Sequence, residues 1–276
     1  MQRKSIYFTH TFLFTLLITL LLTGCGGKKE NITEDDREAA AIYDLARETL
    51  GTRNYNQAIV LYKALRNRFP FGRYAEQGQL DLAYAYHKAG EPENVSATVD
   101  RFIRTYPTHP NVDYAYYLRG LTYYEQNKSL LTRIFPERVS SRDQSLARTS
   151  FDGFSELVRR YPQSRYVPDA RQRMVHLRNN LAVYEVTVAD YYIRRKAYIA
   201  AVNRAKYVIE NYPGTPASNE ALVVLSKAYE KLELDELEQD ARRILTLNDP
   251  LNPYLTGKSR DSSGFLKRLF SFGFLK

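Results

Sequence analysis

The sequence predicts an all-α protein, an α-solenoid of about five tetratricopeptide (TPR) helix pairs spanning residues 37–250. Three observations support this prediction: a recurring aromatic-proline ending, apolar residues at helical spacing, and a composition suited to a folded core. The 276 residues are 44% hydrophobic and include 23 tyrosines but only one cysteine. This composition excludes a disordered polyelectrolyte and a disulfide framework within one chain.

Aromatic-proline pairs mark the ends of the predicted repeats. Four amphipathic segments end in such a pair, namely Phe69-Pro70, Tyr106-Pro107, Tyr161-Pro162 and Tyr212-Pro213, and a fifth ends at Asp249-Pro250. Proline lacks an N–H and clashes with the preceding turn, so each pair indicates a helix end. The gaps of 37, 55, 51 and 37 residues approach the repeat of about 34 that is typical of TPR units.

Two units are longer than the repeat. In the third, the surplus of about 18 residues predicts an insertion at 127–145. In the fourth, about 17 extra residues predict a helix extended through Val183–Arg195. Segments such as Glu220–Leu232 place apolar side chains on one helical face, so the pairs must stack to bury them. The stack predicts a groove that would bind peptides or other domains.

The first 36 residues predict a lipoprotein signal and a tether. Arg3 and Lys4 precede the apolar run Phe12–Leu22, which is too short to cross a bilayer, so residues 1–24 are interpreted as a signal peptide. The lone cysteine, Cys25, ends a sequence that resembles the bacterial lipobox, which implies cleavage before it and lipidation on it. The alternative is an ordinary signal with an incidental cysteine. Residues 25–36 are interpreted as the lipidated N-terminus and a flexible tether, and by the same resemblance Gly26 favours the outer membrane.

The positive charge is concentrated outside the predicted repeats. Of the formal net charge of +9, residues 1–24 carry +2 and residues 251–276 carry +4, which leaves +3 for residues 25–250. A nearly neutral body argues against a broad nucleic-acid-binding face, so no nucleic-acid partner is expected.

Residues 251–276 are interpreted as a basic, aromatic C-terminal tail. In a helix, Phe265, Leu266, Leu269 and Phe270 would share one face, with basic side chains off it. Such a segment could lie on an anionic bilayer or dock in a partner groove. A helix of 13 residues is marginal alone, so we expect the tail to order only when bound.

The sequence contains no motif of a known catalytic or metal site. Mature histidines His87, His109 and His176 have no metal-ligand spacing, and no nucleophile elbow, Walker loop or dinucleotide fingerprint occurs. His109 lies between two prolines, where a rigid turn is the simpler role. We therefore expect no enzyme, no metal and no cofactor. A cell-wall hydrolase built on a carboxylate pair is the enzymatic alternative.

Several longer strings of the sequence are more specific than the repeat pattern. They are Phe69-Pro70-Phe71-Gly72 with Tyr74, Asp100-Arg101-Phe102-Ile103-Arg104, Pro107-Thr108-His109-Pro110-Asn111, Arg119-Gly120-Leu121-Thr122, Val188-Ala189-Asp190-Tyr191-Tyr192 and Val202-Asn203-Arg204. Together they resemble the BamD family, lipoproteins of the outer-membrane β-barrel assembly (BAM) machinery. The resemblance covers roughly residues 25–250, whereas the tail and most of the 127–145 insertion have no counterpart.

The resemblance implies a non-enzymatic adaptor, lipid-anchored on the periplasmic face of the outer membrane. By this resemblance, Arg204, Arg195 and Tyr198 face the periplasmic POTRA region of BamA, and Phe69, Phe71 and Tyr74 form a pocket for unfolded outer-membrane proteins. Accessory lipoproteins, BamC-like and BamE-like, are further expected partners.

Alternatives to these assignments remain open. Arg204 could be an ordinary solvated arginine, and the three aromatic residues could serve packing between repeats. The functional alternative is another periplasmic TPR lipoprotein, a scaffold in cell-wall synthesis, division or pilus secretion.

Overall fold

A computed structural model describes residues 34–127 and 144–257 of the chain. Within these ranges the regular structure consists of ten α-helices, which confirms the predicted all-α class. The helices are α1 (Glu34–Gly51), α2 (Tyr55–Arg68), α3 (Arg73–Ala89), α4 (Pro92–Thr105), α5 (Val112–Asn127), α6 (Ser145–Arg160), α7 (Val167–Arg194), α8 (Tyr198–Asn211), α9 (Pro216–Lys231) and α10 (Asp235–Asn248).

The chain forms two compact units, Met1–Ala41 and Ile42–Lys276. The described part of the first unit is the beginning of α1, residues 34–41. In the second unit each helix from α2 to α10 packs against the next, and α3 also packs against α5 and α7 against α9. Contact with both the partner helix and the next repeat is how TPR-like solenoids build a continuous core. The second unit is therefore a TPR-like α-solenoid.

The five predicted helix ends are all observed. Phe69, Tyr106, Tyr161, Tyr212 and Asp249 are the C-caps of α2, α4, α6, α8 and α10. Each cap donates its N–H to the carbonyl four residues earlier at 2.8–2.9 Å and then leaves the helical region, with ψ between 45° and 78°. The following proline imposes this change because its ring clashes with a helical conformation of the preceding residue.

The observed boundaries revise one prediction and confirm another. The described part of α1 already includes Glu34, three residues before the predicted start at residue 37, and the three acidic residues in this turn favour the positive end of the helix dipole. The long helix of the fourth unit is α7, whose 28 residues confirm the predicted extension. The signal peptide at 1–24, Cys25, the tether as far as residue 33, and residues 128–143 of the insertion lie outside the described residues.

Residues 251–257, which were predicted to begin the tail, fold onto the last helix pair. Asn252 is buried, and the Tyr254 hydroxyl lies 2.9 Å from Oγ of Ser226 on α9. Tyr254 and Leu255 pack against a core cluster that includes Leu245 of α10. The folded body thus extends past residue 250, and only residues 258–276 of the predicted tail lie outside the described residues.

Two glycines set the closest approach between α5 and α6. A Cβ atom on Gly153 would lie 3.1 Å from the Cα of Gly120, and one on Gly120 would lie 2.7 Å from the ring of the buried Phe154. The two backbones therefore meet without side chains between them, and the Ser150 hydroxyl donates to the Gly120 carbonyl at 2.9 Å.

Within the described residues no helix is long and apolar enough to cross a membrane.

Candidate functional site: a buried carboxylate beneath two arginines

The predicted partner-facing residue Arg204 lies on the surface of α8 and is held there by a buried carboxylate. Its Nη1 donates a 2.8 Å hydrogen bond to Oε2 of Glu185, which lies on α7 and is 2% exposed. The Arg204 side chain itself is 45% exposed. One end of the ion pair is thus fixed in the core while the other faces solvent.

A second arginine binds the same carboxylate. Arg148 on α6 donates from Nη2 to Oε1 of Glu185 at 3.1 Å, and its side chain is 44% exposed. The hydrogen bond between Arg148 and the Tyr207 hydroxyl raises the arginine pKa further, and this effect outweighs burial. We call Arg148, Glu185 and Arg204 the Glu185 cluster.

The Glu185 cluster fixes positive charge at the surface. Its formal charges sum to +1, and both guanidinium groups are anchored by charge-assisted hydrogen bonds, which are stronger than neutral ones. A buried carboxylate is tolerated only when it is paired and hydrogen-bonded, and here each oxygen has an arginine. The arrangement links three consecutive helices and can present two oriented cations to an acidic partner.

The structure does not gather the other two predicted partner-facing residues around Arg204. Arg195 is the exposed C-cap of α7, and Tyr198 is the half-buried first residue of α8. The six-residue separation places Tyr198 about 9 Å along the helix and about 120° around it from Arg204. Arg195 and Tyr198 therefore belong to the α7–α8 turn, and Arg204 belongs to the Glu185 cluster.

Sequence reasoning missed Arg148 and Glu185. The available signal was that Glu185 interrupts an apolar face of α7, because Leu181 and Ala189, four residues to either side, are both buried. A glutamate at such a position indicates a paired core carboxylate, but the sequence does not say which cations pair with it.

The three predicted peptide-binding aromatic residues have three different environments. Phe71 is 86% exposed, in the turn between α2 and α3 beside Gly72, whose φ of 93° favours glycine. Phe69 is half-buried, with the Arg68 guanidinium 5.4 Å from its ring centre. The Tyr74 ring packs 5.6 Å from that of Tyr43 on α1. Packing between repeats therefore explains the position of the Tyr74 side chain, whereas the Phe71 side chain faces solvent.

A half-buried polar network includes Tyr43, the packing partner of Tyr74. Tyr43 donates its hydroxyl to Oδ2 of Asp81 at 2.9 Å, and Gln77 donates to Oδ1 at 2.8 Å. Burial raises the pKa of Asp81 above its usual value despite these hydrogen bonds, and burial also raises the pKa of Tyr43. The network ties α1 to α3.

A cavity of about 490 Å³ lies between two of the aromatic-proline turns. Its lining includes His109, Asp113 and Ser164. Nδ1 of His109 accepts the Asn111 N–H at 3.0 Å, and Ser164 donates to Asp113 at 2.6 Å, so these polar groups serve the turns themselves. In the described ranges no group of three or more potential metal-ligating side chains occurs.

Comparison with known proteins shows the family of this chain. The family model that matches residues 35–244 is described as an outer membrane lipoprotein (YfiO). An outer membrane protein assembly factor BamD of Neisseria gonorrhoeae is 42% identical over 249 residues, which are 88% of this chain and 93% of that protein. BamD of Xylella fastidiosa strain 9a5c is 36% identical over 99% of this chain and 94% of its own length. BamD of Vibrio cholerae is 37% identical over 84% of this chain and 96% of its own length.

Proposed function

The chain belongs to the BamD family of outer membrane lipoproteins, and on this basis we propose that it is a non-enzymatic adaptor of the outer-membrane β-barrel assembly machinery. The relatives are named outer membrane protein assembly factors, and they align with nearly their whole length. Binding, rather than catalysis, is the activity that a TPR-like solenoid supports best.

The observation that carries the proposal is the Glu185 cluster. Arg204 and Arg148 are fixed by one buried carboxylate, so they lose little further freedom when they bind. Such preorganised cations favour a partner surface rich in carboxylates or carbonyl oxygens. We assign this surface to the periplasmic POTRA region of BamA. Arg195 and Tyr198 provide a second contact area at the α7–α8 turn.

The exposed Phe71 supports the second half of the proposal, reception of unfolded outer-membrane proteins. An aromatic side chain that is 86% exposed costs little to desolvate and offers a large apolar contact. Arg73 lies 4.9 Å above the Tyr74 ring beside it, so a cation flanks the apolar surface. Phe69 and Tyr74 form the less exposed flanks of this proposed peptide site.

The membrane attachment is proposed to be a lipid anchor on Cys25. Acyl chains on this residue would hold the chain on the periplasmic face of the outer membrane, since more than one chain gives stable anchoring. BamC-like and BamE-like lipoproteins are further proposed partners. A different periplasmic role, in cell-wall synthesis, division or pilus secretion, is less well supported, because the relatives are named for outer membrane protein assembly.

A pull-down from native envelopes tests the proposal. The tagged mature chain, Arg204→Glu and Lys206→Glu would be purified in mild detergent and their partners quantified by mass spectrometry. Lys206 is an exposed cation on the same helix, two residues away and so about 200° around it, which makes it the matched charge-reversal control.

We expect a POTRA-bearing barrel protein in near-equal amount with the wild type and with Lys206→Glu, and a loss with Arg204→Glu. Equal retention by all three chains would refute the Arg204 site but leave the adaptor role intact. Absence of such a protein from the wild-type eluate would refute the adaptor role.

A further inference from the structure

The last described helix carries an exposed apolar stripe. Leu237, Ile244 and Leu247 lie on one face of α10, within about 80° of one another, and Leu251 follows the helix end. Their exposed fractions are 44%, 41%, 75% and 81%, respectively. We call these four residues the α10 stripe.

The α10 stripe lies beside the face that holds α10 in the fold. That inward face buries Ala241 and Leu245, and α9 is its main packing partner. Asp240, which is exposed and paired with Arg243, lies on the same face between Leu237 and Ile244, so the larger apolar part of the stripe is Ile244, Leu247 and Leu251. Exposed apolar side chains that cluster in this way mark an interaction site more often than isolated ones do. The helix therefore has a second apolar face whose occupant must be identified.

We propose that the C-terminal segment of the same chain, residues 264–276, docks on the α10 stripe. In a helix, Phe265, Leu266, Leu269 and Phe270 of this segment would share one face. A short amphipathic helix is marginal alone but gains stability by laying such a face on an apolar surface.

The connecting chain is long enough for this docking. Leu255 packs against the core cluster that contains Leu245 of α10, so the chain leaves the described fold close to this helix. The eight Cα-to-Cα steps from Gly257 to Phe265 span up to about 26 Å, whereas the 14 residues of α10 extend about 21 Å. The segment can reach any point on the stripe without disturbing α9 or α10.

Charge complementarity supports the same occupant. The turn before α10 and its first turn carry four acidic residues, namely Glu233, Asp235, Glu236 and Glu238, of which Glu238 is already paired with Arg242. The C-terminal segment carries Lys267 and Arg268 off its apolar face. Docking would therefore bring opposite charges together at the edge of an apolar contact, the arrangement that favours one partner and one register.

Cysteine crosslinking in the purified, full-length mature chain tests the docking. The pair Ile244→Cys with Leu269→Cys joins the stripe to the segment, and Thr246→Cys with Leu269→Cys is the control, because Thr246 is exposed on a different face of α10. A short bismaleimide would be added at several protein concentrations, and crosslinked peptides would be identified by mass spectrometry. The chain with Cys25 alone gives the background.

We expect the Ile244–Leu269 pair to crosslink within one chain, independently of concentration, and at least fivefold more than the control pair. A third substitution, Leu247→Asp, should reduce this crosslink to the control level. Equal crosslinking by both pairs would overturn the proposal. Crosslinks only between two chains would instead identify a second copy as the occupant. If the segment is protected from proteolysis only when phosphatidylglycerol vesicles are added, the occupant is a membrane and not this chain. The assay contains no assembly partner, so its outcome is independent of the proposed function.

Discussion

Arg204 donates from Nη1 to one oxygen of Glu185 at 2.8 Å, and that carboxylate is only 2% exposed although the arginine is half in solvent. Arg148 donates to the other oxygen from α6. One buried residue of the long helix α7 therefore orients two surface cations that lie on its neighbours. If the surface binds a partner, Glu185 acts as a positioning residue for Arg204.

Replacing Glu185 should destabilise the fold. Glu185→Ala removes both hydrogen bonds, but the two arginines can hydrate because each is nearly half-exposed, so we expect a loss of about 1–3 kcal/mol in the free energy of unfolding. Urea unfolding followed by circular dichroism measures this free energy of unfolding. Glu210→Ala, an exposed position on α8, should stay within about 0.5 kcal/mol of the wild type. Equal effects at both positions would show that the ion pairs of Glu185 do not contribute to stability.

Adding one methyl group between α5 and α6 should also destabilise the fold. Gly153→Ala places its Cβ 3.1 Å from the Cα of Gly120, a backbone atom that cannot move aside as a flexible side chain could. Overpacking of this kind costs about 1–3 kcal/mol. Gly51→Ala, where no atom lies within 4 Å, is the matched control and should be neutral or slightly stabilising. Thermal unfolding of the two variants distinguishes close helix contact from a general effect of alanine.

The pairing of Glu156 should make stability dependent on pH. Burial alone would raise the pKa of Glu156, but hydrogen bonds from Arg119 and Arg160 outweigh it and lower the pKa below the usual 4.5. A lowered carboxyl pKa stabilises the fold above the unfolded value, and this contribution is lost as the pH falls through the folded value.

The variant Glu156→Gln isolates this effect. We expect it to unfold about 1–2 kcal/mol more easily than the wild type at pH 7, because it lacks two charge-assisted hydrogen bonds. The difference should shrink steadily as the pH is lowered below about 4.5, where the wild-type carboxyl also becomes protonated. Urea unfolding across this pH range measures the difference in free energy of unfolding between the two chains. A difference that does not change with pH would contradict stabilisation by the ionised Glu156 carboxylate.

Removing the exposed aromatic side chain should impair binding without affecting stability. Phe71→Ser is expected to weaken the affinity for an unfolded outer-membrane β-barrel protein about tenfold, as loss of an aromatic anchor does. The chain has no tryptophan, so the substrate's own tryptophan fluorescence reports binding without background. Leu247→Ser removes a comparably exposed apolar side chain on α10 and should leave this affinity unchanged. Equal losses in both variants would indicate nonspecific apolar contact.

The sequence was informative where one residue fixes the local backbone. The helix ends at Phe69 and Tyr106 were predictable because the following proline constrains the preceding residue whatever its tertiary neighbours. The length of α7 followed from the spacing of such ends.

The candidate site was predictable only in part, because its geometry depends on tertiary contacts. Glu185 pairs with residues 37 positions before it and 19 after it, and no local pattern specifies such pairs. Likewise, Phe71 and Tyr74 are three residues apart, yet one faces solvent and the other packs on Tyr43 of α1.

Depletion of the protein in living cells tests its proposed role most directly. The measurement is the amount of folded, membrane-inserted β-barrel proteins in the outer membrane, quantified across many such proteins after expression is stopped. We predict a broad decline that is restored by the wild-type chain and by Lys206→Glu but not by Arg204→Glu. Unchanged barrel levels accompanied by a septation defect, or by loss of a single secretion system, would contradict a role in outer-membrane β-barrel assembly.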